Sequence, residues 1–194
     1  MQIQSAPYTY TFDNLQQPLT VQVYLYEKIS NPLQVKELLD SKNANYTFLN
    51  AKLIVSLKEI LIGLNRIYTQ QENLTSKSLI FYLSPESSKV RQKYLQNQNK
   101  NILNKQLKAP EIELFKVFDF NQPSILVLQQ QEGCNIFDEL DANIKGNELP
   151  ISQIGSFIDL EQIKKLYGIT EQEADLETDI RGSIYNIISM KKVK

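Results

Sequence analysis

The side chains that most often move protons or hold metals near neutral pH are almost missing from this sequence. It contains no histidine and a single cysteine, Cys134. Without histidine, no Ser-His or Cys-His pair can generate a nucleophile. A zinc site would have to join one cysteine to carboxylates, a poor match to the usual nitrogen and sulfur ligand sets. Carboxylate pairs, lysine bases and magnesium sites remain open. Glu171, Glu173, Asp175 and Glu177 can be read as a metal cluster. Acids at the start of a helix also complement the backbone dipole, and that account suffices. Ser84-Pro85 has the form of a kinase phosphorylation site and also of a helix N-cap followed by proline, which is the reading favoured here. Cys134, after Gly133, reads as an ordinary loop or edge residue. These residues point to a protein that works by contact: no catalytic residues, no cofactor and no metal are expected. The rival is an enzyme with a carboxylate-and-lysine site, but no such constellation converges in the sequence.

Net charge is −1, so nothing pulls the whole chain toward nucleic acid. The charge is unevenly spread. Lys89, Arg91, Lys93, Lys100, Lys105 and Lys108 follow Glu86 with no further acid among them, whereas acids dominate from Glu161 to Asp179. The basic stretch reads either as a solvated face or as a contact for the phosphates of a nucleic acid. Tyr94 could stack on a base, but it is a single aromatic among lysines.

A hydrophobic fraction of 42% is enough to build a core, and a charged fraction of 22% argues against a disordered tail. No apolar run approaches the roughly 18 residues that a bilayer span needs. The start, MQIQSAPYTY, has neither the basic opening nor the apolar block of a signal peptide. One cysteine cannot form an internal disulfide, which fits a reducing compartment.

The elements that must position any contact surface are legible from periodicity. Tyr8–Phe12 and Thr20–Tyr26 alternate as strands joined by a turn; Val21, Val23 and Leu25 point one way, Gln22, Tyr24 and Tyr26 the other. Asn31-Pro32 starts a helix whose apolar face is Leu33, Val35, Leu38 and Leu39. Phe48–Val55 is an extended piece interrupted at Asn50. Ser56-Leu57-Lys58-Glu59 is a capping box, opening a helix with Leu57, Ile60, Leu61, Leu64, Ile67 and Tyr68 in one arc. Ser78–Leu83 reads as a strand ending at Ser84-Pro85. Glu111–Phe118 is a helix, Ser124–Leu128 a buried strand, Ile136–Lys145 an amphipathic helix closed by Gly146, and Leu149–Ile151 a short extended piece. Asp159 opens a helix stopped by Gly168, and Thr170-x-x-Glu173 opens the last helix, with Leu176, Ile180, Ile184, Ile187, Ile188 and Met190 on one face. Strands gather in the first two-thirds and helices in the last third. The prediction is one α+β domain over residues 1–194: an antiparallel-rich central sheet flanked by helices, a helical C-terminal portion and a polar, basic insertion at about 88–111.

In this order, VYLYEKISNPLQVKELL, NAKLIVSLKEILIGLNRIY, KSLIFYLSP, the pair LFKVF and SILVL, and IKKLYGIT before a terminal amphipathic helix resemble the PRPK-binding (TPRKB-like) protein family, the small kinase-binding subunit of the KEOPS, or EKC, complex. The likeness runs from about Tyr8 to Val193, and the segment from about Ser88 to Glu111 departs from it as an insertion. The resemblance implies a non-catalytic regulatory subunit that binds the small lobe of the atypical kinase/ATPase directly and the threonylcarbamoyl-transferase through it. It implies service to threonylcarbamoyladenosine modification of tRNA, a link to telomere maintenance, and residence in nucleus and cytoplasm with no membrane. Archaeal members are thought to hold the tRNA 3′ CCA end.

On that footing the expected kinase face is Ile180, Ile184, Tyr185, Ile187 and Ile188 on the last helix, a ridge its own body leaves partly uncovered. Gly182 would let another backbone approach. The expected tRNA contacts are Asn50, Lys52, Lys58, Arg66 and Lys77, with Lys89, Arg91 and Lys93 in the insertion. For each of these positions the plain reading stands beside the functional one: the isoleucines pack on their own sheet, Asn50 ends a strand, and the cations are solvated. A free-standing RNA-binding protein is the second rival.

Overall fold

The computed structural model describes residues 7–13, 15, 17–71, 73–83, 122–130, 136–169 and 177–189. The readings of Ser84-Pro85, the basic insertion, Glu111–Phe118, Cys134 and the acids from Glu171 to Asp175 lie outside them. Strand β1 (Tyr8–Phe12) pairs with β2 (Leu19–Glu27), as the alternating pattern predicts. Helix α1 (Pro32–Ser41) leads to β3 (Tyr46–Asn50), a 3-10 turn (Ala51–Leu53), helix α2 (Leu57–Thr69) and helix α3 (Ser76–Leu83). Strand β4 (Ser124–Gln129), helix α4 (Ile136–Asn143), strand β5 (Asn147–Leu149), a 3-10 stretch (Ile151–Phe157), helix α5 (Leu160–Tyr167) and helix α6 (Glu177–Ser189) follow. The chain is α+β, with an antiparallel sheet in the order β1-β2-β4-β3. Strand β5 pairs with β2 at Leu25–Glu27, beyond the stretch that β1 occupies.

Period-two alternation splits the sheet into two faces. Val21, Val23, Leu25, Leu49, Ile125 and Val127 face the larger core, shared with α2, α3, α5 and α6. Tyr24, Tyr26, Leu126 and Leu128 face a smaller core closed by Val35 and Leu39 of α1 and by Ile136 and Leu140 of α4.

Four expectations are corrected. Ser78–Leu83 is not a strand but most of α3. Its start is a reciprocal cap: the Ser78 backbone N–H donates to Thr75 Oγ1 at 3.0 Å, and the Thr75 N–H donates to Ser78 Oγ at 2.9 Å. Leu79 to Leu83 are all buried, so the helix has no polar stripe to mark its period. Leu33 is not on the apolar face of α1; it is 74% exposed. The helix predicted to reach Lys145 and close at Gly146 ends at Asn143. Asn31, expected as the N-cap of α1, makes no cap bond. Its amide donates to the Asn143 carbonyl at 2.7 Å and accepts from the Lys145 N–H at 2.8 Å, clipping α1 to the end of α4.

Candidate interaction surface around the second and sixth helices

Helix α2 begins where the sequence places it, but the capping box is redistributed. Ser56 occupies the N-cap with no side-chain cap bond. Its hydroxyl instead meets the Tyr185 hydroxyl of α6 at 2.6 Å. Glu59 reaches back to the Val55 N–H at 2.8 Å and is fully buried. The Tyr167 hydroxyl, from α5, lies 2.8 Å from Glu59 Oε1 and 2.7 Å from the Leu83 carbonyl oxygen. Glu59 and Tyr167 thus tie together the start of α2, the end of α3 and the end of α5. Burial, reinforced by the Glu59 charge and hydrogen bond, holds the Tyr167 phenol well above its ordinary range. Burial alone does the same to Tyr68, and burial with the Asp40 hydrogen bond and charge does it to Tyr46.

Gly63 lets α2 and α3 come close. A Cβ there would lie 3.0 Å from Leu79 Cδ1 and 3.1 Å from Leu83 Cδ2. Gly168 closes α5 in the left-handed region, at φ 67, and its N–H bonds the Lys164 carbonyl. The Asp159 side chain caps the other end of α5 through the Gln162 N–H at 3.0 Å.

The last helix corrects the central expectation about the isoleucine ridge. Ile180 is 4% exposed, and Ile184 and Ile188 are fully buried in the larger core. The chain's own body covers them, so they are not a free face. Tyr185 remains half-buried on the outer side beside exposed Arg181, while Ile187, also half-buried, packs against the larger core on the other flank. Lys58 Nζ sits 4.9 Å above the Tyr185 ring, within cation–π range.

Two grooves flank this contact. One, of about 610 Å³, has an apolar floor of Val55, Ile158 and Ile180, with Leu160, Arg181 and Tyr185 along its walls. Leu160 is 42% exposed, one of few large apolar side chains so open. Gly182 borders the same groove, and a Cβ built there would meet nothing within 4 Å. The other groove, of about 680 Å³, runs along α2 past Lys58, Leu61, Ile62, Asn65 and Arg66, a spacing that places all five on one helix face. Tyr10 and Asp13 of the first hairpin form its opposite side. Tyr10 is 38% exposed, with its ring edge-on to Phe12 at 4.8 Å.

Of the expected tRNA contacts, Lys58 and Arg66 come together in this second groove. Asn50 and Lys52 do not line it. The Asn50 side chain accepts the Lys52 N–H at 3.0 Å and so caps the 3-10 turn after β3. Lys77 falls in α3 with its side chain outside the description, as are Lys89, Arg91 and Lys93 entirely. No group of three potential metal ligands occurs among the described residues, and no described helix is long and apolar enough to cross a membrane. Sequence reasoning missed Tyr10, Leu160 and Arg181. The only available signal for Tyr10 was the Tyr-x-Tyr-x-Phe alternation of β1, which gives a shared face but not an exposure.

The family model described as kinase binding protein CGI-121 matches residues 26–192 of the chain. The chain is also 24% identical, over 165 residues, to the EKC/KEOPS complex subunit TPRKB of Danio rerio, covering 79% of this chain and 81% of that protein.

Proposed function

Because this chain belongs to the kinase binding protein CGI-121 family, we propose that it is a non-catalytic subunit of a KEOPS/EKC complex that binds and regulates the complex's atypical kinase/ATPase. The observation that carries this reading is the family match across residues 26–192. The lack of histidine supports a role through contact. The outer side of α6 is the docking face in this reading. Tyr185 stays from the sequence expectation, Leu160 and Arg181 join it at the apolar groove, and Ile180, Ile184, Ile187 and Ile188 act as its support. A subunit of this kind acts by binding the kinase's active conformation more tightly than its other conformations. The threonylcarbamoyl-transferase is reached through the kinase, and the output is threonylcarbamoyladenosine on tRNA, with a link to telomere maintenance and residence in nucleus and cytoplasm.

A second part of the proposal concerns RNA. Lys58 and Arg66 share a groove with the exposed ring of Tyr10, and neither cation makes an ion pair among the described residues. A ring that can stack a base beside cations that can hold phosphates suits a single-stranded end such as the tRNA CCA tail. Asp13 on the same groove favours an approach that keeps phosphates on the α2 side.

Capture of the full-length chain from native extract, followed by mass spectrometry, tests the first part. The kinase and transferase subunits are expected together; their absence from a folded, soluble bait refutes it. Filter binding of tRNA to the Arg66→Glu variant tests the second. Retention should fall several-fold and the wild-type salt dependence should flatten. Equal retention by both proteins refutes the RNA groove, and tight, salt-sensitive binding with no kinase in the extract favours a free-standing RNA-binding protein.

A further inference from the structure

Lys58 lines the α2 groove and contacts Tyr185, a side chain of the other groove. A lysine on the first turn of a helix ordinarily samples many rotamers, and fixing it costs entropy whenever it must hold a phosphate. Here the ammonium lies over the Tyr185 ring at 4.9 Å while its stem forms groove wall. The ring is itself held. Its hydroxyl meets Ser56 Oγ at 2.6 Å, and Ser56 is free for this because it makes no cap bond to α2. The neighbouring positions 184 and 188 anchor α6 in the core. The chain of contacts is therefore Ser56 to Tyr185 to Lys58, ending at the groove.

We infer that Tyr185 is a positioning residue for the RNA groove: its ring holds the Lys58 ammonium at the groove's edge, so that a phosphate there finds the cation already ordered. This rests on the RNA reading of the groove given above, and adds to it a residue that does not itself line that groove. A cation–π contact at a solvent-accessible site makes the ring worth about a two- to fivefold change in RNA affinity.

The test is fluorescence anisotropy of the full chain with a labelled single-stranded RNA ending in CCA. Tyr185→Leu should bind about two- to fivefold more weakly. Tyr185→Phe keeps the ring but loses its Ser56 anchor, and should bind more tightly than Tyr185→Leu and no better than the wild type. In a Lys58→Met background, Tyr185→Leu should cost nothing further. Additive losses from Lys58→Met and Tyr185→Leu, or equal losses from Tyr185→Phe and Tyr185→Leu, overturn the inference while leaving the groove intact. No RNA binding by the folded wild type overturns the groove and the inference together. A measurement without mutation stands beside these. The Lys58 side-chain methylene protons of the wild type should resonate upfield through the Tyr185 ring current, and ordinary lysine shifts overturn the inference.

Discussion

The two sides of helix α6 make opposite use of one amphipathic pattern. The inner side, Ile180, Ile184 and Ile188, is closed against the body of the chain, with Ile187 packed beside it; the outer side, Arg181 and Tyr185, borders the apolar groove. An apolar stripe says which face is inward. It does not say how much of it the rest of the chain will cover, because that depends on neighbours distant in sequence, here α2 and the 3-10 stretch before α5. The comparison also separates support from contact. The inner side fixes where the outer side stands, and only the outer side is free to meet a partner.

The comparison breaks most sharply at position 184. Ile184→Glu places a carboxylate where the wild-type side chain is fully buried. The cost should be about 4 kcal/mol or more, a large share of the total stability of an ordinary domain. Urea denaturation should find the variant mostly unfolded; a wild-type midpoint would mean that the inner side is not closed.

A smaller effect is expected from the polar knot beneath α2. Tyr167→Phe removes the hydroxyl that meets both Glu59 and the Leu83 carbonyl and should cost about 1–3 kcal/mol. It should also change the alkaline limb of stability. The Tyr167 phenol is raised in the folded state, so its proton is lost first from the unfolded chain. Stability is then full below about pH 10, where the unfolded phenol titrates, and falls as pH rises above it. Melting curves collected across that range should show a shallower loss for Tyr167→Phe than for the wild type. Parallel losses would remove Tyr167 from the account.

How far the sequence foretold this arrangement depends on whether the signal was local. Helix α2 was legible because Ser56 and Glu59 bracket its first turn and its apolar residues keep a helical period. Strand β2 was legible from strict alternation, and α5 from Asp159 and Gly168. Helix α3 was not: LIFYL is apolar throughout, and such a run carries no period that tells a buried helix from a buried strand. The deciding sign was Thr75-x-x-Ser78, a capping box with serine in the place of the usual Glu or Gln. The candidate surface was legible only in part. Lys58 and Arg66 were picked out and do share a groove, but Tyr10 joins them from the first hairpin, and Leu160 lines the neighbouring groove from another helix. Asn50 and Lys52 looked similar in sequence and serve a turn instead. Ser56 and Glu59 were read as each other's complement; tertiary partners, Tyr185 and Tyr167, won both side chains.

The most direct test of an outer contact face is the affinity of the full chain for the kinase subunit of its complex, measured by calorimetry with wild type and with Leu160→Glu/Arg181→Glu. Both positions are exposed, so the melting temperature should stay close to that of the wild type. The account predicts at least a tenfold loss of affinity, about 1.4 kcal/mol or more. Wild-type affinity in the folded double variant would contradict it.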